Sequence, residues 1–387
     1  MTISQQIQKF NTYDFNDTSF KLLMQKRIYH ILLICSSYDA FVLEEDGRID
    51  EQIFNEYVSL NLRYPPQFIK ASTPEEAFTI LKDGKIDLII TMMSMGDIDP
   101  LKLAQKIKQR YPLKPIVVLT PFSREVSIKV KNEKFPYVDY IFCWLGNTDI
   151  MLAIIKLIED KMNADYDIDE IGVQAILLVE DSVRFYSSYL PKLYKIIFNQ
   201  SKDFMIEGLN EHQKMLRMRG RPKILLATNY EEATSFFKRF KHNLLGVISD
   251  IAYDKDGELD EKAGLKFYKI VHKEDKFLHF ILQSSDKESE HIAHHLNLGF
   301  INKYSKTLSL ELKEYVDEEF AFGDFIFRDP DTKKEISRAF DLQSFQQKIF
   351  EIPDNSLKYH IDRNHISKWL KARALFPLGD MFKEGRS

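Results

Sequence analysis

Ala175-Ile-Leu-Leu-Val-Glu-Asp-Ser182 is an apolar run that stops abruptly in two carboxylates. Leu244-Leu-Gly-Val-Ile-Ser-Asp250 stops in a third, Phe280-Ile-Leu-Gln-Ser-Ser285 in hydroxyls, and Gly299-Phe-Ile-Asn-Lys303 in an amine. Short apolar runs alternating with stretches of helical periodicity imply strands of a parallel sheet covered by helices. Ligands bind such sheets at the carboxyl ends of the strands. Three acids, a hydroxyl and a lysine delivered to one edge suit one hard divalent cation and one phosphoryl group.

The first half of the chain carries the same rhythm. Strand-like runs are His30-Ile-Leu-Leu-Ile-Cys35, Gln67-Phe-Ile-Lys70, Ile86-Asp-Leu-Ile-Ile-Thr91, Pro115-Ile-Val-Val-Leu119 and Val138-Asp-Tyr-Ile-Phe142. Thr73-Pro-Glu-Glu-Ala77 and Asp99-Pro-Leu-Lys-Leu-Ala104 each place a capping residue before proline, which starts a helix. Asn147 to Met162 has apolar residues at helical spacing. Lys70-Ala-Ser-Thr-Pro-Glu-Glu-Ala77 finds a counterpart in Leu226-Ala-Thr-Asn-Tyr-Glu-Glu-Ala233, so a unit is repeated in tandem. The acidic stretch Asn163 to Glu170 reads as the joint between copies.

At 387 residues the chain is long enough for two or three domains. A net charge of -4 argues against a dominant nucleic-acid or membrane-surface role. Two cysteines, Cys35 and Cys143, are too few for a disulfide scaffold and point to a reducing, cytoplasmic setting. The N-terminal apolar run Ile31 to Cys35 is too short for a membrane span.

The ordered set of strand ends from Val173 to Phe320 resembles the receiver domain of two-component response regulators. The resemblance implies an α/β fold, with two doubly wound parallel five-stranded sheets of the flavodoxin-like receiver type and a C-terminal helical segment. It implies Asp250 as phosphoacceptor, and Glu180, Asp181 and Asp250 as ligands of Mg²⁺. Ser284, with Ser285 adjacent, would hydrogen-bond the phosphoryl group, Lys303 would pair with it, and Phe300 would be the switch aromatic. A histidine kinase or another phosphodonor is the implied partner, with a downstream domain, a protein partner or a homodimer reading the signal. Tyr304 stands where the family usually has proline. The loop Asp254 to Glu261 is lengthened and acidic; its glycine is misplaced for a calcium loop, so it reads as solvated.

In the first copy Cys35 and Ser36 replace the acidic pair, Met92 replaces the aspartate and Cys143 the lysine, while Thr120 remains. Thr91 and Asp97 lie nearby, but without a carboxylate nucleophile aspartyl phosphorylation is chemically unavailable. This copy reads as a pseudo-receiver with inert buried thiols.

The expected divisions are an arm over 1–25, a degenerate unit over 26–165, a receiver over 172–320 and a helical connector over 321–387. About forty residues separate Asp181 from Lys223, more than a helix and turn require, which places an insertion near 200–221. Its Lys214, Arg217, Arg219 and Arg221 suit a phosphate or an acid, with a solvated helix end as the preferred reading. In the connector Asp341 should cap one helix, and Asp354, Asn355 or Ser356 a second reaching Phe376. Arg363, Lys368, Lys371 and Arg373 should give that second helix a basic outer side. His360 and His365 are read as a polar seam rather than metal ligands, and DNA binding is not expected. Tyr359 to Phe376 resembles the stretch leading into the phosphoenolpyruvate/pyruvate-binding domain of large multidomain bacterial proteins. That likeness implies the regulatory front of a longer enzyme similar to a phosphoenolpyruvate synthase, with no stand-alone catalysis in these residues.

Overall fold

Two five-stranded parallel sheets with the same strand order organise the computed structural model, which describes residues 22–44, 48–93, 99–121, 135–144, 148–206, 208 and 211–383. The first unit contains β1 (His30–Ile34), α1 (Ser37–Leu43), α2 (Ile49–Ser59), β2 (Gln67–Ala71), α3 (Pro74–Lys82), β3 (Leu88–Met92), α4 (Pro100–Arg110), β4 (Ile116–Pro121), β5 (Tyr140–Trp144) and α5 (Asp149–Ala164). The second contains β6 (Ala175–Val179), α6 (Val183–Ile206), α7 (Glu211–Arg219), β7 (Lys223–Ala227), α8 (Tyr230–Phe240) and β8 (Leu244–Asp250). It continues through β9 (Tyr253–Lys255), β10 (Glu258–Asp260), α9 (Ala263–Glu274), β11 (His279–Ser284), α10 (Lys287–His295), β12 (Gly299–Asn302) and α11 (Leu308–Glu314).

The orders are β2-β1-β3-β4-β5 and β7-β6-β8-β11-β12. This is a doubly wound α/β arrangement, with the order reversing beside the first strand of each sheet. The repeat seen in the sequence is one capping device used twice. Thr73 Oγ1 accepts from the Glu76 N–H while Glu76 accepts from the Ser72 N–H. In the second copy the Asn229 side chain accepts from the Glu232 N–H, and Glu232 from the Thr228 N–H. Each reciprocal pair satisfies backbone donors at the start of the helix after the second strand.

The acidic joint continues the helix before it. α5 runs directly into a π-helical turn, Asp165–Glu170, and its polar residues fasten the flanking chain. Glu159 accepts from the Ile28 N–H, Asn163 from the Lys26 N–H, and Asp167 from the Met24 N–H. Asp160, fully buried, takes a two-pronged ion pair from Arg221 at 2.8 and 3.1 Å and accepts from Tyr194 and the Ile224 N–H. Lys223 lies 2.8 Å from Asp167. The basic cluster is therefore no solvated helix end: Arg217 and Arg221 are buried, drawn in by the Phe204 carbonyl and by Asp160.

Helix α6 continues through Pro191 for 24 residues, a rod of about 36 Å. Its first turns lie on the edge strand of the other unit. The Tyr186 hydroxyl donates to the Ile141 carbonyl, the Cys143 N–H donates to Ser187 Oγ at 2.9 Å, and Phe142 meets Tyr186 edge-on. One continuous hydrophobic core consequently contains Leu33 and Ile90 of the first sheet together with Leu178 and Ile248 of the second. Among the described residues no helix is long and apolar enough to cross a membrane.

The C-terminal segment differs from its expected form. A hairpin of β13 (Phe325–Arg328) and β14 (Glu335–Ala339) is followed by α12 (Leu342–Lys348), α13 (Asp354–Ile361), α14 (His365–Ala372) and α15 (Phe376–Met381). Asp341 caps α12 as expected, in a capping box with Ser344. The residue in the cap position of α13 is Pro353, not one of the three polar residues after it. The helix expected to reach Phe376 breaks at Asn364, whose left-handed φ of 57° reverses the chain. The segment folds on itself, with Phe325, Phe327, Phe345, Ile366, Trp369 and Leu370 forming a separate core. Its basic residues do not make an open face either. Lys371 is buried beside Asp380 at 2.7 Å, and Arg373 is buried over Trp369 and Phe204. The acidic loop is likewise ordered, as the hairpin β9–β10 turning at Asp256 and Gly257, both left-handed. The expected arm falls mostly outside the described residues, but Leu23 at its end is buried against Ile171, Val173 and Phe376.

Candidate functional site

The register of the second sheet decides which side chains meet at its carboxyl edge. β8 pairs with β11 so that Asp250 faces Gln283, and β11 pairs with β12 so that Ser284 faces Asn302. Lys303 follows directly, its N–H bonded to the Ser284 carbonyl. Glu180 and Asp181 follow β6, the strand on the other side of β8.

Lys303 Nζ is 2.6 Å from Glu180 Oε2 and 2.5 Å from Asp250 Oδ2, all three residues being buried. Glu180, Asp181 and Asp250 each present a carboxylate oxygen within 4.8 Å of the others. Three hard oxygen donors at this separation fit a Mg²⁺ ion that keeps several waters. Burial, then the charge of Asp250, pushes the Glu180 carboxyl well up, and Lys303 opposes this. Asp250 is also raised by burial, against the pull of Lys303. Burial alone would lower Lys303, but the two acids outweigh it and hold its ammonium charged.

Several of these groups are fixed by backbone. Glu180 Oε1 accepts from the Ser182 N–H and Asp250 Oδ1 from the Ile251 N–H at 2.7 Å. Ser284 is buried at the strand end with its Oγ accepting from the Asp286 N–H, whereas Ser285 is exposed beyond the strand. Phe300 lies half-buried in edge strand β12, its N–H donating to the Tyr315 hydroxyl at 3.1 Å. Tyr304 packs edge-on against Phe185, and Lys303 Nζ sits 4.4 Å from the centre of that same ring.

Two contributors carry no signal in the strand ends. Gln283, on β11 two strands away, donates to Glu180 Oε2 at 2.9 Å across the end of β8. Gly264, at the start of α9, lets that helix approach the Asp250 backbone. Only the sheet register reveals the first, and only the packing of α9 the second.

The corresponding edge of the first sheet is chemically different. Cys35, Met92, Thr120 and Cys143 are all buried there. Burial pushes both thiols up to about 11, so neither is a thiolate near neutral pH. Asp97 lies outside the described residues. The described residues contain one group of three or more acidic, histidine or cysteine ligands able to share an ion, and it is the one in the second sheet.

No family model matches the chain, and no curated protein matches it. Among solved structures, one similar fold is a probable two-component system response regulator/GGDEF domain protein. It is 14% identical, with 75% of this chain and 97% of that chain covered at a TM-score of 0.30. Another is a putative protein of the same description, 14% identical, with 74% and 96% covered at a TM-score of 0.29.

Proposed function

We propose that this chain receives a signal as a phosphoryl group on Asp250 and transmits it through the packing around that residue. The observation that carries this reading is Lys303 bridging Glu180 and Asp250, with Asp181 beside them, at the carboxyl edge of one sheet and not the other.

The reaction is a displacement at phosphorus. An Asp250 carboxylate oxygen forms a bond to phosphorus, the bond to the donor's leaving group breaks, and that group departs with the electron pair. Glu180, Asp181 and Asp250 would hold Mg²⁺, which neutralises phosphoryl charge when bound. Lys303, already charged and aimed at Asp250, would move its ammonium to a phosphoryl oxygen. Ser284 would donate its hydroxyl proton to another. Gln283 keeps Glu180 oriented in the meantime.

Transfer of the charge partner is also the signal. Once Lys303 turns to the phosphate, its contact above Phe185 at the start of α6 changes, and α6 touches both sheets. A state change follows only if the phosphorylated form stabilises one packing over another.

Treatment of the full chain with acetyl phosphate and Mg²⁺, followed by intact-mass measurement, tests the reading. One labile adduct is expected, absent in Asp250→Ala. Two adducts, or one that survives the substitution, would refute it.

A further inference from the structure

At the amino edges of the sheets, opposite Asp250, three separate segments border a cavity of about 120 Å³ backed by α5 and α6. One is the entry to β1 at Met24 and Arg27, another the turn Asn61 to Arg63 before β2, and the third the insertion, through Met205, Lys214, Met215, Met218, Arg219 and Arg221. Six cationic residues line it against two carboxylates. Three of the six are already neutralised. Lys156 pairs with Glu159, Lys214 with Glu211 and Arg221 with Asp160.

Among the described residues the other three have no close acid of their own. Arg27 donates to the Met24 carbonyl, and Arg63 donates to Met215 Sδ and reaches Glu211, an acid already engaged by Lys214, only at 4.0 Å. Arg219, half-buried, makes no hydrogen bond or ion pair with any described residue. Partial desolvation holds its guanidinium below the ordinary range, and Arg27 and Arg63 add repulsion. Gathering like charges in a recess costs free energy unless an anion completes the arrangement. Guanidinium forks match phosphate oxygens better than any other side chain does. The remaining wall is soft and apolar, from Met205, Met215, Met218 and Phe198.

We propose that this cavity is a binding site for a small organophosphate, with its phosphate held by Arg27, Arg63 and Arg219 and its organic part against the methionines. The site accounts for the insertion near 200–221, which neither sheet requires. It also spans the two units, since its first two segments belong to one and its third to the other. Helix α6 ties it to the phosphoacceptor edge: Phe185 in its first turn lies under Lys303, and Phe198 and Met205 near its end line the cavity.

The test titrates the full chain with inorganic pyrophosphate by calorimetry, in EDTA and at constant ionic strength. The wild type should bind with a dissociation constant in the millimolar range or tighter, and Asp250→Asn should bind equally well, which separates this site from the phosphoacceptor. Arg219→Gln and Arg63→Gln should each weaken binding at least tenfold. Arg219→Gln should also unfold at a temperature no lower than wild type in the absence of pyrophosphate, because it relieves repulsion. Arg63 is exposed, so its variant folds independently of that result. No heat with the wild type, or binding unchanged in both arginine variants, would overturn the proposal.

Discussion

A methyl group on Gly264 would lie 2.1 Å from the carbonyl oxygen of Asp250. The obstacle is backbone, not the end of a flexible side chain, so helix α9 or strand β8 would have to move. Gly264→Ala should therefore cost stability by roughly 1–3 kcal/mol, the usual range for overpacking. Urea unfolding reads this loss, and acetyl phosphate labelling of Asp250 should slow in parallel. Unchanged stability and labelling would mean that α9 yields freely and does not position Asp250.

Lys303→Met removes the cation that bridges Glu180 and Asp250. Without the bridging ammonium the three acids repel one another more strongly, so the variant should be less stable without divalent cation. Mg²⁺ should bind it more tightly than wild type, by about tenfold, equivalent to ~1.4 kcal/mol. Calorimetric titration decides this. Weaker binding in the variant would show that Lys303 organises the acids rather than competing with the cation.

Asp160→Asn leaves Arg221 buried without its carboxylate and weakens the environment of Lys223. Removing one partner of a buried ion pair costs roughly 3–5 kcal/mol. The loss should be visible by urea unfolding as a lower midpoint for both units together. A drop confined to one unit would contradict the shared core.

The imidazoles of the C-terminal segment make its stability depend on pH. His360 Nε2 accepts from the Arg328 N–H, so a neutral ring carries its proton on Nδ1 and donates to His365 Nδ1 at 2.9 Å. Neither ring gains a proton without losing one of these bonds. Burial pushes His360 down to about 4, with Arg328 and Arg363 adding to it, and burial likewise lowers His365, which faces Lys368 and His279. Glu319 lies 3.3 Å from the His279 ring, which burial keeps neutral across this range. The unfolded chain thus binds protons below about pH 6.5 that the folded chain refuses until about pH 4. Stability rises with pH across that window and falls as pH drops through it. At pH 5 His360 alone should remove up to ~2 kcal/mol relative to pH 7.5. Urea midpoints at the two pH values should converge in His360→Gln. An equal pH dependence in that variant would assign the effect to other groups.

Much of the candidate site was legible because it consists of strand ends. A run such as Leu244 to Asp250 is apolar along its length for one reason and polar at its end for another, and the structure keeps its bounds unchanged. Gly264 and Gln283 were not legible, since each matters through an element distant in sequence. The acidic stretch Asn163 to Glu170 was legible as the joint between the units, but not its packing. Composition registers its carboxylates, but not that Asp167 turns inward to meet Lys223. In the C-terminal segment the apolar spacing of α13 and α14 was readable as helix. The reversal at Asn364 was not, because a left-handed residue leaves the periodicity on either side intact.

The placement of α6 on β5 has a practical consequence. By sequence, the natural place to divide the chain is near residue 170. Cutting there would strip the Tyr140–Trp144 strand of the helix that covers it and expose Tyr186 and Phe142 to water. Each fragment would carry a freshly opened apolar wound and aggregate, even though each contains a complete sheet. The unit without the acid cluster therefore cannot be discarded in exchange for a smaller protein. It serves the other as a permanent chaperone, joined to its client by a covalent bond.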